Sequence, residues 1–446
     1  MDIDIKSNQE SMIEIFPISH TLQASVRVPG SKSLTNRVLL IAALVEGHTV
    51  LSNALFSDDS IYFVEALRQL GFEVALDPDR AEMAVTGQGG AIPAQKAELF
   101  IGNAGTAARF LTAFLTLGNG NYILDGDPRM RERPIGDLVA ALGQLGAKIT
   151  PIRPAEGTAS TVGSSRSICP PINIQASGLP GGRTEIAGNI SSQFLSGLLM
   201  VAPYANNPVE ILVTTELNSK PYVELTLGVM SDFGVEVQRQ GSERFVIPPA
   251  HYQERSTYTI ESDASAASYF FAAPAILGGM VRVENISRAS KQGDIAFLDI
   301  LQRMGCTVSE GKNYVDVIGP ASLHGVDVDM RDISDTAQTL AAIAPFADAP
   351  TRIRGIGFIR AKESNRISDT ATELRRLGVE VEEHPDGLTI HPCKTIKPAF
   401  TQTYDDHRMA MAFSLIGLRC AGVRIENPAC VSKTFPDYFK VLENLR

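Results

Sequence analysis

ELRRLGVEV (residues 373–381) is one of five copies of a nine-residue pattern, and this pattern predicts an architecture of repeated units. Each copy reads as the last turns of a helix, a glycine able to take the left-handed conformation that ends helices, and alternating apolar residues that suit a half-buried strand. The glycines recur every 71 to 88 residues, which is too long a spacing for a solenoid module. The other copies are ALRQLGFEV (66–74), ALGQLGAKI (141–149), VMSDFGVEV (229–237) and ILQRMGCTV (300–308).

A second pattern recurs in step with the first. A short polar group opens an apolar helix, which runs through a small residue into a strand. Polar residues at a helix start are ordinary N-caps, so a single opening indicates only a capped core helix. Six such openings at matching positions of the repeats predict that the N-termini of these helices lie around one region. Each N-terminus carries a partial positive charge. The six segments are 31–50, 103–123, 191–211, 263–281, 335–353 and 406–425.

The repeats predict an α/β protein of two domains with three units each. We expect residues 30–250 to form one domain and residues 1–29 with 251–446 to form the other, because Pro248-Pro249 separates the two sets of repeats. The sixth unit lacks its last strands, and we expect residues 12–28 to supply them. The chain would then cross twice between the domains, and such a double hinge favours opening and closing around a cleft.

Composition excludes several classes of function. The chain has 446 residues and a net charge of -10, which argues against general nucleic-acid binding. No run of about 18 apolar residues is present that could span a membrane, and residues 1–14 resemble no targeting sequence, so we expect a cytoplasmic protein. The five cysteines are odd in number and scattered, which fits neither a zinc site nor a disulfide framework. We expect no metal and no cofactor, and a monomer.

Basic residues stand at or near the predicted helix starts. Any one of them, taken alone, is better explained as a solvated side chain. As a set they indicate a site for anions, because arginine binds carboxylate and phosphate with its bidentate fork and lysine acts as a point charge. The candidates are Lys32, Arg37, Arg109 and Arg129 in the first predicted domain, and Lys362, Arg366, Arg408 and Lys433 in the second.

Eight ordered motifs resemble the 5-enolpyruvylshikimate-3-phosphate synthase family. The resemblance runs from about residue 25 to the C-terminus, and eight motifs in order make it highly specific. The motifs are PGSKS (29–33) with Asn36-Arg37, GNAGTAAR (102–109), PRM (128–130) with ERP (132–134), SSQF (191–194), SKPY (219–222), KESNR (362–366), DDHRM (405–409) and KTFPDY (433–438).

The resemblance implies a fold and a reaction. The implied fold is the two-domain, inside-out α/β barrel-like fold of the enolpyruvyl transferases, with six βαβαββ units. The implied reaction transfers the enolpyruvyl group of phosphoenolpyruvate to the 5-hydroxyl of shikimate 3-phosphate and releases phosphate. This step belongs to the shikimate pathway to chorismate and the aromatic amino acids. The implied partners are therefore these two small molecules, with no nucleic acid and no membrane.

The same resemblance implies which residues bind each substrate. Gln193 and Lys32 are expected to serve both substrates. The residues expected to bind shikimate 3-phosphate are Lys32, Ser33, Arg37, Ser191, Ser192, Gln193, Ser219, Tyr222, Asp335 and Lys362. The residues expected to bind phosphoenolpyruvate are Lys32, Asn103, Gly105, Thr106, Arg129, Gln193, Arg366, Arg408 and Lys433.

The reaction needs an acid near the methylene carbon of phosphoenolpyruvate and a base near the 5-hydroxyl. By resemblance Glu363 is the acid that later recovers the proton, and Asp335 with Lys32 serves the hydroxyl. His407 is expected to assist proton transfer or to hold a phosphate oxygen. For an unassigned glutamate beside Lys362 and Arg366, a salt bridge at a helix start would be the simpler interpretation.

Two positions depart from the family pattern, and two other functions compete. Phe358 stands where many relatives have an asparagine that helps hold the shikimate phosphate, and Phe110 stands where many have proline. The related UDP-N-acetylglucosamine enolpyruvyl transferase usually has a loop cysteine near the segment 129–134, and no cysteine falls there in this sequence. A silent anion-binding protein is the third possibility, but Asp335 and Glu363 are both retained. Phosphate-loop and dinucleotide motifs are missing from the sequence.

Overall fold

The computed structural model describes residues 12–152 and 168–446. The chain divides into two compact units. The first unit is Pro29–Ser262, and the second is Asp263–Arg446 together with the described residues up to Val28. The second crossing between units thus lies at residue 262 and not at residue 250. Residues 1–11 of the predicted second domain lie outside the described residues.

The secondary structure alternates strands and helices along most of the chain. The strands are β1 (Met12–Ile15), β2 (Leu22–Arg27), β3 (Glu46–Ser52), β4 (Glu73–Asp77), β5 (Glu82–Gln88), β6 (Lys96–Phe100), β7 (Asn119–Asp125), β8 (Lys148–Pro151), β9 (Ile172–Ser177), β10 (Gly182–Ile186), β11 (Val209–Val213), β12 (Gln238–Gln240), β13 (Arg244–Ile247), β14 (Thr257–Thr259), β15 (Gly279–Glu284), β16 (Thr307–Gly311), β17 (Tyr314–Ile318), β18 (Asp327–Asp329), β19 (Thr351–Arg354), β20 (Val381–His384), β21 (Gly387–Ile390), β22 (Ala399–Thr401) and β23 (Val423–Glu426).

Two kinds of helix connect these strands. The α-helices are α1 (Lys32–Leu44), α2 (Asp58–Gln69), α3 (Gly105–Leu115), α4 (Gly136–Gln144), α5 (Ser192–Val201), α6 (Lys220–Asp232), α7 (Ala264–Leu277), α8 (Phe297–Arg303), α9 (Ala337–Ile343), α10 (Arg366–Arg376), α11 (His407–Arg419) and α12 (Tyr438–Glu443). The short 3-10 helices are Met130–Glu132, Ala202–Tyr204, Gly293–Ala296, Ser334–Thr336, Ala344–Phe346, Gly357–Ala361 and Pro428–Lys433.

The sheets repeat one topology. In each four-stranded sheet a parallel pair is followed by two antiparallel strands, and the chain order along one repeat is βαβαββ, as β6-α3-β7-α4-β8-β9 illustrates. The first unit holds the sheets β14-β3-β5-β4, β6-β7-β9-β8 and β10-β11-β13-β12. The second unit holds β2-β15-β17-β16, β18-β19-β21-β20 and the three-stranded β22-β23-β1.

Strands distant in sequence complete three of these sheets. β1 pairs antiparallel with β23, which confirms that the chain start supplies a strand to the sixth repeat. β2 does not join it, because it pairs parallel with β15 of the fourth repeat. The strand that precedes α7 in the chain is β14, and it belongs to a different sheet. Without β2, the outer edge of β15 would therefore be open. β14 in turn pairs with β3, which keeps residues 251–262 in the first unit.

Each unit has its own apolar core, and the helices with polar starts lie within it. Every residue of α3 is buried, and so is nearly every residue of α7 and α11. Burying one large apolar side chain contributes about 1.5–3 kcal/mol to the free energy of unfolding. Packing on all sides therefore stabilises these helices. The five glycines of the repeated pattern all have left-handed φ values, between +81° at Gly234 and +102° at Gly305, which confirms their helix-ending role.

Candidate active site

The start of α1 fixes the first predicted basic residue. The Ser31 hydroxyl caps the helix by accepting a hydrogen bond from the Leu34 amide at 3.4 Å. Lys32 follows as the first helical residue, and its Nζ lies 3.4 Å from a carboxylate oxygen of the buried Asp59. The lysine is therefore held at the helix start with a buried counterion beside it.

Arg37 is buried one turn further along α1. Its Nε donates to Thr226 Oγ1 at 2.7 Å, and its Nη2 donates to Ser196 Oγ at 3.3 Å and to the Tyr222 carbonyl at 3.0 Å. Its Nη1 donates to the Ser33 carbonyl at 2.9 Å. Burial lowers the pKa of Arg37 to about 10. Four N–H groups thus bind the protein itself, so the structure ties this predicted ligand residue to α5 and α6.

The start of α3 is bound by two buried arginines. Arg109 Nη1 donates to the Gly105 carbonyl at 3.2 Å, and its Nη2 donates to the Pro134 carbonyl at 3.0 Å. Arg133 Nη1 donates to the carbonyl and to the side-chain oxygen of Asn103, at 3.0 and 2.8 Å. Hydrogen bonds from both arginines therefore hold the glycine motif. The N-cap residue of α3 makes no side-chain hydrogen bond that caps the helix.

The starts of α3 and α5 are linked directly. Gln193 Nε2 donates to Thr106 Oγ1 at 3.2 Å. Ser191 caps α5 by accepting from the Gln193 amide at 3.3 Å, and Ser192 beside it is buried. The structure thus brings together Thr106 and Gln193, two residues that the sequence assigns to phosphoenolpyruvate.

Three other predicted residues of the first unit lie in different surroundings. Arg129 is about one-third exposed and pairs with Glu132 at 2.8 Å, within its own loop. Ser219 precedes α6 with a left-handed φ of 55°, a strained conformation for a residue with a side chain. Tyr222, in the first turn of α6, is partly buried, and its carbonyl accepts from Arg37.

Arg366 is the centre of a charged cluster in the second unit. It is 2% exposed and begins α10. Its Nε donates to Asp406 at 2.7 Å, its Nη1 to Asp335 at 3.1 Å and its Nη2 to Glu363 at 2.8 Å. Burial by itself would lower the pKa of Arg366, but the attraction of Asp406, Glu363 and Asp335 outweighs it and the pKa is raised. Three carboxylates share one buried cation.

Asp335 bridges this cluster to a second arginine. Its other carboxylate oxygen accepts from Arg408 Nη2 at 2.7 Å, and its carbonyl accepts from Arg408 Nη1 at 2.9 Å. Asp335 keeps 19% of its side chain exposed, whereas Arg366 and Arg408 are nearly enclosed. Close to Arg408, burial raises the pKa of the Tyr269 hydroxyl to about 12, so this phenol is neutral at ordinary pH. The exposed part of Asp335 leaves it able to meet a ligand.

Asp406 and His407 form the start of α11. Asp406 is fully buried, accepts from Ser364 Oγ at 3.2 Å and caps the helix by accepting from the Arg408 amide at 3.0 Å. His407 is also buried, with Nδ1 3.6 Å from Asp406. The sequence marks Asp406 as a helix opening and as part of the DDHRM motif, and its role as a partner of Arg366 required the structure.

The remaining predicted residues of the second unit lie near short 3-10 helices. Lys362 follows Gly357–Ala361 and is partly buried. Lys433 ends Pro428–Lys433 and is buried. Phe358 packs against the apolar core of its unit. Below, the first-unit set means the predicted residues from Lys32 to Tyr222, and the second-unit set means those from Asp335 to Lys433.

Cys169 lies closer to the segment 129–134 than its sequence position indicates. The Ile135 amide donates to the Ile168 carbonyl at 2.9 Å, which carries Cys169 alongside this segment. Burial raises the pKa of the Cys169 thiol, and the attraction of Arg109 does not offset that effect. The thiol is therefore protonated at neutral pH.

The described residues contain neither a metal-ligating cluster nor a helix that could span a membrane. In residues 12–152 and 168–446, no three His, Cys, Asp or Glu side chains are grouped so as to hold a metal ion. Over the same ranges, no helix has the length and apolar character required to cross a bilayer.

The overall fold is similar to those of solved transferases. An EPSP synthase from Acinetobacter baumannii matches with a TM-score of 0.78 and 23% identity, covering 97% of both chains. The enolpyruvyl transferase NikO from Streptomyces tendae matches with a TM-score of 0.74 and 19% identity, again over 97% of both chains. The fold is therefore that of the enolpyruvyl transferases, and the predicted fold class is confirmed.

Sequence comparison identifies the family. The family model described as EPSP synthase (3-phosphoshikimate 1-carboxyvinyltransferase) matches residues 17–442. The 3-phosphoshikimate 1-carboxyvinyltransferase of Trichormus variabilis is 50% identical over 427 positions, which cover 96% of this chain and 97% of that protein. The chloroplastic enzyme of Brassica napus is 47% identical and covers 98% of this chain and 86% of its own. The chain belongs to the EPSP synthase family.

Proposed function

We propose that this chain transfers the enolpyruvyl group of phosphoenolpyruvate to the 5-hydroxyl of shikimate 3-phosphate and releases inorganic phosphate. Membership of the EPSP synthase family supports the reaction. The observation that carries the proposal is the buried cluster in which Arg366 holds Asp335 and Glu363, the two carboxylates that the reaction needs.

The charge of the substrates fits the two basic sets. Together the substrates carry roughly six negative charges near neutral pH, since each phosphate ester carries up to about -2 and each carboxylate -1. At about 4 Å and an effective dielectric constant near 20, one pair of unit charges is worth ~4 kcal/mol before desolvation. The eight basic candidates supply the positive charge that these substrates need, in a chain whose net charge is -10.

The residue assignments follow the family motifs. We propose that both sets act on the same pair of substrates, with Gln193 and Lys32 serving both. Shikimate 3-phosphate is assigned to Lys32, Ser33, Arg37, Ser191, Ser192, Gln193, Ser219, Tyr222, Asp335 and Lys362. Phosphoenolpyruvate is assigned to Lys32, Asn103, Gly105, Thr106, Arg129, Gln193, Arg366, Arg408 and Lys433.

The chemistry proceeds by addition and elimination. The 5-hydroxyl oxygen bonds to C2 of phosphoenolpyruvate while Glu363 gives a proton to the methylene carbon, and Asp335 with Lys32 receives the hydroxyl proton. Glu363 then takes a proton back from the new methyl group as the bond from C2 to the phosphate oxygen breaks. The proton taken from the hydroxyl passes to the departing phosphate, which leaves as inorganic phosphate and restores Asp335 and Lys32. His407, buried next to Asp406, is assigned to the phosphate end of this movement.

The arrangement around Arg366 suits this exchange. Because Arg366 has Asp406 as a buried partner with bonds of 2.7 and 3.3 Å, its charge stays compensated when Glu363 is protonated. Asp335 likewise keeps Arg408 as a partner while it faces the substrate hydroxyl. Asp406 is thus proposed to keep the two arginines in place while the other carboxylates change their charge.

The test is a phosphate-release assay with phosphoenolpyruvate and either of two acceptors. We expect phosphate release with shikimate 3-phosphate and none above background with UDP-N-acetylglucosamine. Release with the UDP-sugar would favour the related transferase, and binding of phosphoenolpyruvate without release under either condition would favour a silent binding protein. A monomeric state and a cytoplasmic location stay predictions.

A further inference from the structure

Arg133 is a buried arginine that the family motifs do not assign to either substrate. It follows the 3-10 helix Met130–Glu132 and is only 3% exposed. Arginine is rarely enclosed to this degree unless its N–H groups are bound. Its Nη1 donates hydrogen bonds to the carbonyl and to the side-chain oxygen of one residue, Asn103. The loop 129–134 is thereby fastened to the turn that opens α3.

The guanidinium of Arg133 also occupies the space next to Gly105. A methyl group added at Gly105 would lie 2.9 Å from Arg133 Cζ and closer still to Nη2. Both distances are shorter than real carbon contacts, so one group would have to move. The nearest atoms belong to the flexible end of a side chain, so Arg133 would be displaced and its bonds to Asn103 would be lost.

The placement of this charge is unusual for a helix start. The N-terminus of α3 has no side-chain cap and no acidic residue in its first turn. Helix N-termini normally attract negative groups, so a cation there adds to the positive potential of the helix. Arg133 and the α3 terminus together favour an anion at Gly105 more strongly than the helix alone.

We propose that Arg133 is a positioning residue for phosphoenolpyruvate, which holds the Asn103–Gly105 turn in its binding conformation and thereby requires glycine at position 105. This inference rests on the proposed function. It differs from the simpler account in which a side chain at 105 obstructs the ligand directly, because it makes residues 105 and 133 energetically dependent on each other.

A double-mutant cycle separates the two accounts. The proteins are the wild type, Gly105→Ala, Arg133→Ala and the double variant, each assayed for the KM of both substrates. We expect each single change to raise the KM for phosphoenolpyruvate about tenfold and the double variant to lie within about twofold of Arg133→Ala. The KM for shikimate 3-phosphate should stay within about twofold throughout. A double variant with about a hundredfold rise, the product of the single effects, overturns the proposal.

The control and the second readout keep the test decisive. Arg131, two residues away, pairs with Asp125 at the surface, so Arg131→Ala should leave both KM values unchanged. If Arg133→Ala fails to fold, Arg133→Lys takes its place in the cycle, since lysine lacks the planar fork that fills the space at 105. The midpoint of thermal unfolding should show the same dependence: Gly105→Ala should lower it less when Arg133 is also replaced. Additive effects of the two substitutions on the midpoint would also overturn the proposal. An inactive wild type would reject the proposed function, and the unfolding cycle would still test the packing.

Discussion

At the scale of single residues, the site depends on how one buried cation is shared. Arg366 binds Asp335, Glu363 and Asp406, and no more than 2% of its side chain reaches solvent. Leaving a buried charge without its partner costs about 3–5 kcal/mol. Because three carboxylates bind Arg366, one of them can become protonated and the positive charge of Arg366 is still compensated by the other two. This compensation supports the proposed role of Glu363 in proton transfer, in addition to its role as a counterion of Arg366.

Glu363→Gln tests this assignment. The amide keeps the shape of the side chain but carries no transferable proton, so we expect kcat to fall by about 10²–10⁴-fold. The thermal unfolding midpoint should change little, because Asp335 and Asp406 still bind Arg366. Steady-state phosphate release at saturating substrates measures the effect.

Glu383→Gln is the matched control for that change. Glu383 also pairs with an arginine, Arg360, at 2.9 Å, and belongs to neither set. Its kcat should stay within about twofold of the wild type. Equal losses for the two variants, or full activity of Glu363→Gln, would remove Glu363 from the proton-transfer role.

The sequence identifies candidate residues but not how they are paired. Arg37 is found as a basic residue at a helix start, yet its partners Ser196 and Thr226 are more than 150 positions away, and no local pattern indicates them. Asp406 reads as an N-cap and proves also to be the main partner of Arg366. Cys169 is separated in sequence from the segment 129–134, and only the folded chain brings it there. Hydrogen-bond partners depend on the packing of distant elements, which spacing along the chain does not record.

At the scale of elements, the glycine that ends each repeated helix fixes the turn into the next strand. Gly146 follows α4 with a φ of +96°, and a methyl group at this residue would lie 2.7 Å from Pro180 Cγ. Gly143, three residues earlier inside α4, has open space around the same position. The two glycines thus differ in backbone conformation and in surroundings, although both stand near the end of one helix.

Alanine at these two positions should have opposite effects. Gly146→Ala forces a side chain into the left-handed region and against Pro180, so we expect the free energy of unfolding to fall by about 1–2 kcal/mol. Gly143→Ala should raise it by about 0.5–1 kcal/mol, because alanine is the better helix former. Denaturant unfolding followed by circular dichroism measures both. A Gly146→Ala protein as stable as Gly143→Ala would contradict the helix-ending role.

The repeats predict most elements because helix ends, glycines and alternating strands are local features. The pairing of β2 and β14 is different, since both strands complete sheets that are distant in sequence. The expectation that residues 12–28 complete the sixth repeat is confirmed for β1 but wrong for β2. An apolar pattern shows that a strand forms, but the open sheet edge that it joins is a property of the folded unit.

The molecule as a whole combines a net charge of -10 with two local basic sets. Each unit folds around its own apolar core and carries its own set. Under the proposed assignments neither set contains all the groups that the reaction needs, because Gln193 and Lys32 belong to the first unit while Asp335 and Glu363 belong to the second. We therefore propose that both units contribute residues that bind shikimate 3-phosphate.

The affinity for shikimate 3-phosphate, measured by titration calorimetry, tests this proposal. Lys32→Met in the first unit and Lys362→Met in the second should each weaken binding by at least about tenfold, since each removes a cation that is assigned to this ligand. Lys96→Met and Lys312→Met, at exposed lysines of the two units, serve as controls and should leave the Kd unchanged. A weaker Kd is expected for both site variants, whereas a wild-type Kd for either one would contradict the proposed assignment.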